Sequence, residues 1–172
     1  MRANGTNTVG STYAAANQWW YRWGMSLAHT LDDLKRALAE SSAAERPKLL
    51  EAIAATCLLM ARADGEVSLP ELDRISAALA QLADPVAADR VEQQLLGDWR
   101  ELQVDGLDAL LRDLAHRLST AEHRRLALSC AAAVAFADGH FDREEEILLG
   151  RLASAFGLSQ EDARKLVAPT AA

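Results

Sequence analysis

The chain has 172 residues, enough for one domain with a sizeable core, and half of them are hydrophobic. That supply is mostly Ala and Leu, with few aromatic or β-branched residues, which favours helix over strand. A formal net charge of −7 argues against sequence-independent nucleic-acid binding, which needs a basic surface, and suits a soluble protein that attracts cations.

Residues 1–17 are polar and small and show no period, so a flexible tail is expected there. From Gln18 the pattern changes. Trp20, Trp23, Leu27, Leu31, Leu34 and Leu38 recur at steps of three and four and put one apolar stripe on a Trp-rich amphipathic helix over 18–40, weakened locally by Gly24. Trp19, Trp20 and Trp23 either anchor that helix on a bundle or touch a membrane surface or a partner. With Arg22 the only basic residue among them, anionic lipid would gain little.

A helical domain is expected over 42–168. Ser42-Ala-Ala-Glu45 reads as a capping box, with Pro47 near the helix start, and Leu49 to Ala63 follows with scarcely a polar face. A helix apolar all round belongs in the middle of a bundle. A third helix starts at Ser68 and carries Leu72, Ile75, Leu79 and Leu82; Asp84-Pro85 opens a fourth, which should end near Gly97 and leave Trp99 in a linker. Asp105 then caps a helix bearing Leu107, Leu110, Leu111, Leu114 and Leu118, and Ser119-Thr-Ala-Glu122 is a further capping box before the apolar run Leu126 to Ala137. Asp142 to Phe156 makes the next helix. Gly157 stops it, and Ser159-Gln-Glu-Asp162 opens a short last helix ending before Pro169. No stretch alternates as a strand would, so the expected fold is an all-α bundle of seven to eight helices.

Cys57 and Cys130 are the only cysteines, both in apolar stretches, and read as buried thiols in a reducing cytosol. The N-terminus lacks the apolar run of a signal peptide, and the longest uncharged apolar stretch, Leu126 to Ala137, is too short to span a bilayer. A cytoplasmic location is the expectation.

Sliding the chain by 74 residues lays Ala63-Asp64-Gly65 on Ala137-Asp138-Gly139, with Ser68 on Asp142, Glu71 on Glu145 and Ile75 on Leu149. Two related halves, about 42–97 and 119–168, would pack face to face with internal pseudo-twofold symmetry.

The two matching loops admit two readings. Helix punctuation accounts for most of their residues: Gly65 and Gly139 as helix stops, Ser68-x-x-Glu71 and Asp142-x-x-Glu145 as capping boxes, Val67 and Phe141 as hydrophobic staples. It does not account for Asp64 and Asp138, acidic residues at helix C-termini where the carbonyl dipoles disfavour them. Calcium loops of the EF-hand type place Gly at position 6, a carbonyl at 7, a ligand at 9 and a Glu at 12. With Asp64 and Asp138 at position 5, the carbonyls of Glu66 and His140 take position 7, Ser68 and Asp142 position 9, and Glu71 and Glu145 position 12. Each loop would supply about five oxygens where Ca²⁺ takes about 6–8, with water completing the shell.

The stretches "ARADGEVSLPELDRI" and "AVAFADGHFDREEEILLGRLASAFGLSQEDA" resemble the TerB family of tellurite-resistance proteins, over roughly Leu49 to Val167. The resemblance implies an all-helical pseudosymmetric domain and an acidic site on Asp64, Glu71, Asp138 and Glu145, with Ser68 and Asp142 beside them. It also implies a metal-linked interaction module in bacterial stress responses, of a kind fused elsewhere to J-domain co-chaperones. Pro70 stands where the family commonly has an acidic residue, which weakens the first site, and the resemblance does not extend to the Trp-rich segment.

The four histidines, His29, His116, His123 and His140, form no zinc-ligand pattern, and no nucleophile elbow or phosphate loop is present. The resulting expectation is a non-enzymatic module that binds Ca²⁺ or another divalent cation and acts on other proteins, stress-response or membrane-associated complexes among them. A scaffold or co-chaperone-like adaptor whose acidic loops are only helix caps is the alternative, and a metal-dependent hydrolase a weaker third.

Overall fold

A computed structural model describes residues 29–63, 85–136 and 141–167. Among them are seven helices and no strand: α1 (29–40), α2 (Glu45–Ala61), α3 (Pro85–Val104), α4 (Leu107–Arg117), α5 (Ala121–Ala135), α6 (Arg143–Ala155) and α7 (Gln160–Val167). The expected tail, the Trp-rich part of the first helix up to residue 28 and the expected helix from Ser68 to Leu82 lie outside the described residues. None of the described helices is long and apolar enough to cross a membrane.

The bundle is built around α2. Every residue from Leu49 to Met60 is buried, as an all-round apolar helix requires. Its two polar members are satisfied: Thr56 Oγ1 donates to the Ala52 carbonyl at 2.7 Å, and the Glu51 carboxylate lies 3.6 Å from the Arg90 guanidinium. The main partner of α2 is α5, and α3, α4 and α6 also touch it. Ala52, Ala54 and Ala55 on α2 and Ala127, Ala131, Ala132 and Ala135 on α5 are all buried, and such small side chains let two helix axes approach closely. Leu34 and Leu38 of α1 join the same core, as the stripe predicts. Cys57 and Cys130 lie in it too; burial pushes the Cys57 thiol far up and the Cys130 thiol up to about 12, so both stay protonated at neutral pH.

Two arginines perform the same task on α2 and α5. Arg46 Nε donates to the Leu38 carbonyl at 2.8 Å, and Arg124 Nε donates to the Leu118 carbonyl at 2.8 Å, with Nη2 on the Ala115 carbonyl at 2.8 Å. Each satisfies carbonyls left over at the C-terminus of the preceding helix.

The stop expected near Gly97 does not occur. α3 continues to Val104, so Trp99 belongs to a helix rather than a linker. What holds the helix past Gly97 is the next residue: Asp98, 2% exposed, accepts from Arg117 Nη1 at 3.1 Å and Nη2 at 2.6 Å, and from Gln94 Nε2 at 2.8 Å. Arg117 also pairs with Asp113. Burial pulls the guanidinium pKa down, but the bonds to Asp98 and Asp113 more than offset it and hold it above its ordinary value.

Cap positions differ in detail from the expectations. Gly106, not Asp105, precedes α4; its φ of +82° turns the chain between α3 and α4, a conformation that Asp would adopt only with strain. Thr120 rather than Ser119 caps α5, its Oγ1 accepting from the His123 N–H at 3.0 Å. The expected box at Ser42 is made one turn before the regular helix, with Glu45 Oε2 accepting from Ser42 Oγ at 2.7 Å and the Glu45 N–H donating back at 3.3 Å. Gly157, φ +69°, ends α6 as expected, and the Leu158 N–H reaches the Ala153 carbonyl at 2.9 Å.

Candidate functional site

The second acidic loop joins α5 to α6. α5 is capped at its C-terminus by Phe136, whose N–H reaches the Ala132 carbonyl at 3.1 Å, and the described chain resumes at Phe141. The two phenyl rings stack, centroids 4.5 Å apart and planes at 17°. The stack closes the ends of the four-residue span that holds Asp138, Gly139 and His140, and such a pair contributes about 0.5–1.5 kcal/mol beyond its burial. It also corrects the expected role of Phe141. A staple would pack on the residue four into the helix, here the charged Glu146; the ring packs on Phe136 instead.

Asp142 follows in extended conformation and caps α6. Its Oδ1 accepts from the Glu145 N–H at 2.9 Å, while Glu145 Oε2 accepts from the Asp142 N–H at 2.9 Å, so the expected capping box is complete. Glu144, Glu145 and Glu146 crowd the first turn. A helix N-terminus tolerates that density because its free N–H groups and dipole favour negative charge.

Of the eight residues expected at the two sites, the structure describes Asp142 and Glu145 and brings these two together. Asp64, Glu66, Ser68, Glu71, Asp138 and His140 lie outside the described residues. Among the described residues no group of three or more His, Cys, Asp or Glu side chains is arranged to hold a metal ion. The chemistry of the pair fits a hard cation. The cap uses Asp142 Oδ1 and Glu145 Oε2, and a carboxylate offers about four lone-pair sites, so Asp142 has acceptor capacity beyond it. Positions 9 and 12 of a calcium loop have the same three-residue spacing as a helix cap and its third residue. Capping and ligation therefore do not compete for the backbone.

The end of α2 approaches this region. Arg62 and Ala63, the last two residues before Asp64, close α2 with N–H bonds to Leu59 and Met60 carbonyls at 3.2 and 3.0 Å. They border an open cleft of about 310 Å³ that is also lined by Glu144, Ile147 and Arg151 of α6, Leu102 of α3 and Leu107 of α4. The residue leading into the first loop and the first turn opened by the second loop thus share one cleft. Sequence reasoning did not find this cleft. Its signal was the apolar Ile147 among charged neighbours on α6.

Residues 50–168 match the family model described as "Tellurite resistance protein TerB". No curated protein and no solved structure matches the chain.

Proposed function

This chain belongs to the TerB family, and from that membership we propose a non-enzymatic, divalent-cation-binding protein-interaction module of a cytoplasmic stress response. The observation that carries the reading is a cap pair, Asp142 and Glu145, at the spacing of two calcium-loop ligands, directly after Phe141, whose ring stacks on that of Phe136. Asp142 and Glu145 would hold the ion together with Asp138 and the His140 carbonyl. Asp64, the Glu66 carbonyl, Ser68 and Glu71 would form the weaker first site. A bound Ca²⁺ would neutralise carboxylates that otherwise repel one another and would fix the loops against the bundle. The chain's own contribution is to orient the oxygens, through the capping box, and to close the loop ends.

The alternative, a scaffold whose acidic loops are helix caps only, is favoured by one fact: the box by itself accounts for one oxygen of each carboxylate. Thermal melting in EDTA and in excess Ca²⁺ decides between them. A site occupied about a hundredfold above its dissociation constant stabilises the folded chain by about 2.7 kcal/mol. An unchanged melting curve with Ca²⁺ and with Mg²⁺ leaves the scaffold reading.

A further inference from the structure

We propose that the cleft between the end of α2 and the first turn of α6 docks a basic amphipathic helix presented by a partner protein, an inference that rests on the interaction-module reading and names the partner's chemistry. The lining is largely apolar, from Leu102 and Leu107 to Ile147, and Ile147 is 54% exposed, one of three large hydrophobics so exposed among the described residues. A cleft of about 310 Å³ is at the lower end of ligand-sized pockets and accommodates a few apolar side chains.

The charge at its rim selects the partner. Of the two cations in the lining, Arg151 is paired with Asp108 at 2.6 Å and Arg62 is half-buried. Glu144 stands on the rim, with Asp142, Glu145 and Glu146 in the same turn and Arg143 the sole cation among them. An incoming surface therefore meets a largely apolar lining with a negative margin on the α6 side, and Lys or Arg beside an apolar stripe complements it. The cleft is lined by residues of helices and of the end of α2, and no strand edge is available among the described residues. An extended peptide would find no ladder to join. A helix satisfies its own backbone and offers only side chains, which is what this groove can receive.

The test is fluorescence anisotropy with a labelled Leu/Lys peptide about four helical turns long, titrated with the full chain in EDTA. The Leu/Lys peptide should bind saturably, and a Leu/Glu peptide of the same pattern should not. Ile147→Asp should weaken binding by about tenfold or more, since burial of that side chain is lost, and Glu144→Lys should weaken it and flatten its salt dependence. Val104→Asp, at a position 81% exposed that does not line the cleft, should leave it unchanged. Both Ile147 and Glu144 are exposed, and circular dichroism of the variants establishes that they fold. Equal losses in Ile147→Asp and Val104→Asp, or none in either, overturn the proposal. So does a chain that self-associates through the cleft, seen as a dimer that Ile147→Asp returns to monomer. Because the titration runs in EDTA, an absent calcium response elsewhere removes the cation reading without touching this result. An absent peptide response removes the docking cleft and leaves the cation reading in place.

Discussion

Asp142 is the position at which capping and cation binding make different demands, so substitutions there separate them. Asp142→Ala removes the acceptor of the 2.9 Å bond from the Glu145 N–H and leaves that donor to water. N-cap residues replaced by Ala lose about 0.5–2 kcal/mol, typically about 1. The site is exposed, which favours the middle of that range: about 1 kcal/mol in EDTA, or roughly 2–4 °C in melting temperature for a chain of this size. Asp142→Ser retains a capping oxygen and should lose no more than a few tenths of a kcal/mol. In excess Ca²⁺ the order changes. Ser lacks the ligand charge, so the second site should weaken and the variant should forfeit most of the ion's stabilisation, about 2.7 kcal/mol for wild type at a hundredfold excess. Differential scanning calorimetry of the three proteins, each with and without Ca²⁺, reads both effects. If Asp142→Ser falls as far as Asp142→Ala in EDTA, the box is not what stabilises α6. If Ca²⁺ raises all three melting temperatures equally, Asp142 is not a ligand.

Arg117→Met leaves the buried Asp98 carboxylate with only Gln94 and should destabilise the chain by about 3 kcal/mol, whereas adding Asp98→Leu to it should recover most of that loss; urea unfolding of the single and double variants checks the cycle. Gly97→Ala should stabilise by about 0.5–1 kcal/mol, because Gly97 lies inside α3 with nothing within 4 Å of an added Cβ, and the same urea midpoints measure it. The Asp162 carboxyl is held below its ordinary value, first by the bond from Ser159 Oγ at 2.7 Å and also by that from the Ser159 backbone N–H. The stability it contributes is thus present above the ordinary carboxylate pKa and is lost as pH falls through the depressed one. NMR titration should show Asp162 returning toward its ordinary value in Ser159→Ala.

The helical class and the central position of α2 were legible because composition and a continuous apolar run determine both. The punctuation by Ser42, Asp142, Gly157 and Ser159 was legible because caps are local and need only side chains and backbone within a few residues. The length of α3 was not. Gly97 reads as a stop in sequence, and the Asp98–Arg117 pair that carries the helix through it joins positions on different elements. Gly106 displaced Asp105 because the α3–α4 turn needs a positive φ, a property of the tertiary path rather than of the local pattern. At the candidate site the 142–145 box was visible by its spacing. The Phe136–Phe141 stack was missed because Phe141 reads as a staple for the helix it precedes, whereas its ring partner is the C-cap of α5. The cleft was missed because it joins the ends of helices far apart in sequence.

The central claim is that the two Asp-Gly loops bind a divalent cation, the second more tightly because Asp142 carries charge where Ser68 does not. Isothermal titration of the EDTA-stripped chain with CaCl₂ tests it most directly, with Asp138→Asn and Asp64→Asn in parallel. Saturable binding in the range of about 10⁻⁵ to 10⁻³ M is expected. Asp138→Asn should abolish the tighter event and Asp64→Asn should spare it. The absence of binding heat in a folded wild-type chain with either Ca²⁺ or Mg²⁺ would contradict the claim.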